Sequence, residues 1–243
     1  MIKFVSCFWN AEKYIGRCIE SLLMQRDEDF KVYFIDDMST DNTITKIKSL
    51  VGDDKRFEII INKEKKFKLQ NLDELIRTFD DEDIVIELDG DDWLYVPSVV
   101  QDIKELYSNP EVWLTNGSFV YSNGSLGFSQ KCDPQSIRRT TFTFSHLRTW
   151  KSFLWKNIPQ DNFKDDNGEY FKSGADVAYS FPLIELAGQE NYRFLSKTYY
   201  VYNGDSPYND HKDGSACGGL QEQSRVANII RNKPPLQKLI RNV

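Results

Sequence analysis

Ile84-Val-Ile-Glu-Leu-Asp-Gly-Asp-Asp-Trp-Leu94 constrains the fold of this chain more than any other stretch. It begins as a β-branched apolar run, the composition of a strand buried on both faces. It stops in three carboxylates within four residues, Asp89, Asp91 and Asp92, with Gly90 among them and Trp93 just beyond. A strand covered on both sides needs helical layers above and below it, and its carboxyl end lies where open α/β sheets hold their ligands. Clustered carboxylates repel unless a cation sits between them, and hard oxygen ligands suit Mg²⁺ or Mn²⁺. An isolated Asp-x-Asp would more simply be an acidic turn capping the next helix, so the surrounding chain has to decide.

That chain alternates strand and helix with short links. Ile2 to Trp9 reads as a strand. Tyr14, Ile15, Cys18, Ile19, Leu22 and Leu23 then fall on one helical face, with Glu12, Lys13, Arg17 and Glu20 opposite. Residues 30–35 give a second strand closed by Asp36 and Asp37, and residues 57–61 a third. Between them Ile44, Ile47, Leu50 and Val51 line a helix; Leu69, Leu72, Leu75, Ile76 and Phe79 line the next. Such alternation predicts an α/β fold with a parallel sheet and helical crossovers. Further on, residues 99–107 read as a helix, 111–115 as a strand, 116–143 as short hairpins, 146–157 as a helix and 160–168 as a polar loop. Residues 175–187 read as a helix ended by Gly188, 192–195 and 198–202 as two strands, and the glycine-rich tail as a flap with a terminal helix.

Bulk properties narrow the class. The 243 residues fit one large domain, and a net charge of −6 argues against general nucleic-acid binding. Cys7, Cys18, Cys132 and Cys217 form no C-x-x-C pair, so they read as reduced thiols of a cytoplasmic protein. No apolar run is long enough to span a membrane, and residues 1–9 are too short for a signal peptide. Asn116-Gly-Ser and Asn123-Gly-Ser match the glycosylation pattern but lack a secretory context.

Four segments, in order, resemble the family-2 glycosyltransferases with the GT-A fold. They are Val5-Ser-Cys-Phe-Trp-Asn10, the helix ending Ser21-Leu-Leu-Met-Gln25, Phe34-Ile-Asp-Asp-Met-Ser-Thr-Asp-Asn-Thr43, and Leu88-Asp-Gly-Asp-Asp92. The resemblance is strong over residues 4–94 and looser beyond. It implies a Rossmann-like, mostly parallel central sheet flanked by helices, with a smaller mixed subregion on the acceptor side. Residues 1–115 would bind a nucleotide-sugar, 116–202 would face the acceptor, and 203–243 would form the flap and terminal helix of one domain.

The resemblance also implies roles. Phe8, Trp9, Asn10, Asp37, Ser39, Asp89 and Gly90 would line the donor site, with Asp37 on uracil or ribose and Trp9 over the base. Asp91 would ligate Mn²⁺ or Mg²⁺, with Asp89 on ribose or metal and Asp92 in support. Asp36, Asp37, Ser39 and Asp41 have a simpler role open to them, as caps of the following helix. Where the family often carries Arg-Asn, this chain has Gln70-Asn71; Asn71 keeps the donor contact, and Lys65 or Lys68 could replace the arginine, although most lysines there suit a solvated face. Asp176, in Ser173-Gly-Ala-Asp-Val-Ala-Tyr179, takes the place of the base that deprotonates the acceptor, preceded by Ala175 where a glutamate is usual. His211 resembles a late histidine ligand of the metal, and His146 with Arg148 would reach the donor sugar.

The expected activity is metal-dependent, inverting transfer from a nucleotide-sugar, of UDP type, to a hydroxyl of a saccharide, protein or other glycoconjugate. A nucleotide-sugar-binding module without turnover is the alternative, favoured by the missing Glu-Asp pair. Sugar-nucleotide pyrophosphorylases share a similar sheet but open with a glycine-rich phosphate loop, and Val5–Tyr14 contains no glycine. An EF-hand is excluded because Trp93 takes its third ligand position.

Overall fold

A computed structural model describes residues 1–205 and 217–241. Strand β1 (Ile2–Phe8) is followed by α1 (Ile15–Leu23), β2 (Phe30–Asp36), α2 (Thr43–Val51), β3 (Phe57–Ile61), α3 (Phe67–Ile76) and β4 (Ile84–Glu87). Then come β5 (Trp93–Leu94), α4 (Val99–Tyr107), β6 (Leu114–Tyr121), β7 (Thr149–Lys151), α5 (Ser152–Lys156), α6 (Ala175–Asn191), β8 (Tyr192–Tyr202) and α7 (Gly219–Asn232). Together the strands form one sheet in the order β3-β2-β1-β4-β7-β6-β8-β5.

From β3 to β4 the sheet is parallel. Helical crossovers bury it on both faces, which is why β1 and β4 are apolar apart from Lys3, Ser6 and Glu87. One apolar layer joins α1, α2 and α4 through Ile15, Ile19, Ile47, Val99 and Ile103 to one face. The other joins α3, α5, α6 and α7 through Leu72, Trp155, Phe181 and Ile230 to the opposite face. Both layers converge on β1 and β4, so the ends of those strands are fixed by packing on two sides.

Beyond β4 the sheet becomes mixed. β7 runs antiparallel to both β4 and β6, whereas β8 lies parallel to β6 and antiparallel to β5. The helix expected over residues 146–157 is therefore corrected to a strand followed by one short helix. Thr149, Trp150 and Lys151 are all buried. That suits a strand inside a sheet; a surface helix would bury only one stripe. The two strands expected near 192–202 are one, bent where its register against β6 shifts at Gly117–Phe119. β6 continues to Tyr121, past the expected end at 115, and only a single bridge, Val120 to Leu126, forms a hairpin after it. Gly188, with φ of 66°, kinks α6, which runs on to Asn191. The loop expected over 160–168 opens with a 3-10 turn, Gln160–Phe163.

Candidate active site

The first part of the site is where β1 and β2 end. Asn10 takes φ of 53°, a left-handed conformation that asparagine tolerates better than most residues. Its amide donates to Ser39 Oγ (2.8 Å), and its Oδ1 accepts from the Thr40 amide (2.8 Å), so the two loops are tied together. Asp37 is buried. It accepts from the amides of Lys66 and Phe67, both at 2.9 Å, and from Asn62 Nδ2 at 2.8 Å. Burial pushes its carboxyl up, but these donors and the nearby Lys65 more than offset that and hold it below the usual range. Phe67 donates from a strained φ of 60°. The Lys65 ammonium lies 3.4 Å from Asp37 Oδ2 and 4.3 Å from the centre of the Trp9 ring, joining the two residues expected around the nucleotide base. Asn71 accepts from Asn62 at 2.7 Å, and its own buried amide is among the groups that hold the Asp37 carboxyl down.

The second part is a cluster of charges at the carboxyl end of β4. Glu87, 1% exposed, lies 2.7 Å from Lys68 Nζ and 3.0 Å from Arg148 Nε, and accepts from the Tyr179 hydroxyl. Lys68 is also 2.7 Å from Asp89 Oδ1 and 3.7 Å from Asp176 Oδ1. Arg148, fully buried, reaches Asp176 Oδ2 at 3.1 Å. Asp89 and Asp176, which are 87 positions apart in the chain, thus face each other across one ammonium group. Burial would raise Asp176, but Arg148 and Lys68 outweigh it and keep the carboxylate ionised. Its side chain is 40% exposed, so it remains open to an approaching molecule. Asp89 goes the other way: burial pushes it up to about 7, with Lys68 opposing and Glu87 adding to the rise.

The turn after β4 completes the centre. Gly90 is required by packing, because a Cβ there would stand 2.8 Å from Phe8 Cβ. Asp92 is buried and accepts from Tyr200 Oη at 2.5 Å and the Asn203 amide at 2.7 Å. Burial, then Asp91 and Asp89, push its carboxyl up. His146 was expected to open a helix; it instead precedes β7, buried and stacked 4.2 Å from the Tyr200 ring. Burial and Arg148 hold its imidazole neutral. Ligand atoms of Asp89, Asp92 and His146 lie within 4.8 Å of one another. Two carboxylates and a neutral imidazole are a donor set that fits a divalent cation such as Mn²⁺. Asp91 is half-buried on the same turn. His211 lies outside the described residues.

Beside Asp176 and His146 opens a cavity of about 520 Å³, walled by Phe119, Phe142 and Tyr202 and floored by α7. Glu87, Tyr179 and Tyr200 are the members that sequence reasoning missed. Glu87 had a signal: it is a lone acid inside an otherwise apolar strand, and such an acid needs cations.

The family model described as glycosyl transferase family 2 matches residues 4–159, more than half of the chain. The chain belongs to that family. Over 206 residues it is 27% identical to the chondroitin synthase of Pasteurella multocida strain Pm70, covering 82% of this chain and 20% of that protein. The hyaluronan synthase of Pasteurella multocida matches to the same extent. The chain thus spans about a fifth of the length of these relatives. Among solved structures, S. aureus TarS 1–349 in complex with UDP-GlcNAc is similar with a TM-score of 0.70 and 18% identity, over 94% of this chain and 65% of that one. The mannosyltransferase PcManGT from Pyrobaculum calidifontis, in complex with GDP-Man and Mn²⁺, has a TM-score of 0.56 and 16% identity, over 83% and 56%. The fold is therefore GT-A, and the chain is a glycosyltransferase domain.

Proposed function

We propose that the chain transfers a sugar from a UDP-sugar to a hydroxyl acceptor with inversion, assisted by Mn²⁺ or Mg²⁺. The observation that carries this reading is the pair Asp89 and Asp176, facing each other across Lys68, with Asp176 also lining the cavity. Asp37, backed by Asn62 and Asn71, holds the base or ribose, and Trp9 with Lys65 covers it. Lys68 and Arg148 place positive charge where a diphosphate leaves. A divalent ion held by Asp89, with Asp91 or Asp92 and with His146, would neutralise that diphosphate as its charge builds. His211 belongs to the same expectation.

Asp176, ionised and half-open to the cavity, accepts the proton of the acceptor hydroxyl. The hydroxyl then attacks the anomeric carbon from the side opposite the diphosphate, which inverts that centre. The complexes of similar proteins with UDP-GlcNAc and with GDP-Man and Mn²⁺ support the choice of nucleotide-sugar and metal. The test is nucleotide release from a panel of nucleotide-sugars with Mn²⁺, repeated with a chelator. Native protein is expected to turn over at least one donor, the chelator to abolish it, and Asp176→Asn to lower it about 10²–10⁴-fold. Metal-dependent UDP binding with no turnover of any donor would instead make the chain a binding module.

A further inference from the structure

The cavity beside Asp176 has a volume in the range of small-molecule sites, about 300–1,000 Å³. Its lining includes the rings of Phe119, Phe142 and Tyr202 together with Gln223, Ser224 and Arg231 of α7. Nearby arginines have carboxylate partners: Arg138 pairs with Glu185, Arg148 with Glu87 and Asp176, and Arg225 with Glu222. Among the described residues Arg231 has none. Its Nη1 donates to the Arg138 carbonyl at 2.6 Å, and its guanidinium packs 5.1 Å from the Phe181 ring. Burial lowers its pKa, and no neighbouring carboxylate raises it. A half-buried cation without a counter-charge is a cost that an incoming anion would relieve. Its planar fork suits a carboxylate or a phosphate better than a lysine would.

We propose that the acceptor held in this cavity is an anionic sugar or glycoconjugate, its carboxylate or phosphate bound by Arg231 while a hydroxyl is presented to Asp176. This inference rests on the transferase reading, and names the acceptor class for it. The aromatic walls offer apolar faces to a sugar ring. Gln223 and Ser224, about two turns earlier on α7, supply neutral hydrogen-bonding groups to the same cavity.

Ligand-observed NMR with glucuronic acid, glucose 6-phosphate and glucose tests it on the whole chain. At low salt at least one anionic probe is expected to bind about tenfold more tightly than glucose, with the margin shrinking at high salt. Preference for glucuronic acid alone identifies a carboxylate, and for glucose 6-phosphate alone a phosphate. Arg231→Gln should remove the preference, Arg231→Lys should keep most of it, and UDP affinity should be unchanged in both. Anionic probes that bind native protein no better than glucose overturn the inference, as does a preference that survives Arg231→Gln. Absence of turnover with every nucleotide-sugar would overturn the transferase reading, whereas loss of the anion preference alone would overturn only this acceptor assignment.

Discussion

Lys68 stands between three acids: Glu87 and Asp89 at 2.7 Å, and Asp176 at 3.7 Å. The attraction of these carboxylates outweighs the burial that would lower its pKa, so it stays charged. Removing one partner from such a cluster leaves uncompensated buried charge. Lys68→Met is expected to destabilise the fold by about 3–5 kcal/mol, measured by urea denaturation, and to weaken UDP binding. Asp89 gives a pH dependence whose sign follows from its rise to about 7. An unfolded aspartate titrates near pH ~3.9, so between about 4 and 7 the folded chain binds more protons than the unfolded one. That contribution to stability is present below the unfolded value and is lost as pH rises through 7. Mn²⁺ needs the ionised carboxylate, so its affinity should be greater at pH 8 than at pH 6 in a direct titration. Equal affinities at the two values would exclude Asp89 as the titrating ligand.

At the scale of elements, Gly90 and Phe8 show how closely the turn after β4 is pressed against the end of β1. Gly90→Ala forces a contact of 2.8 Å, and one of the two segments must shift. We expect a loss of about 1–3 kcal/mol, with weaker UDP binding, because the shift moves Asp89. Thermal unfolding and nucleotide titration read the two effects separately. The elements up to β4 were legible because each carries its own period: alternate helical stripes and apolar runs set by the two covering layers. β5 and β7 were not, since strands of two and three residues exist only through pairing with distant partners. The same limit applied to the site. Asp37, Asp89 and Asp176 were legible from their motifs, whereas the joining of Glu87, Lys68, Arg148 and Tyr179 depends on α3, β4, β7 and α6 meeting in space. His146 was placed near the donor sugar on the strength of a helix that does not form, yet β7 still brings it beside Asp89.

Across the whole molecule, the parallel half ends its strands at the crevice proposed for the nucleotide, and the mixed half lines the cavity through α6 and α7. Asp89 belongs to the first half and Asp176 to the second, so the site is complete only when the two are packed together around β4 and β7. A metal centre at the turn after β4 is the central claim, and anomalous diffraction from crystals soaked with UDP and Mn²⁺ tests it most directly. The expected result is a manganese peak at ligand distance from Asp89, with the UDP diphosphate on the same ion and its base beside Asp37. UDP bound in the crevice with no manganese against any of Asp89, Asp91 and Asp92 would contradict it.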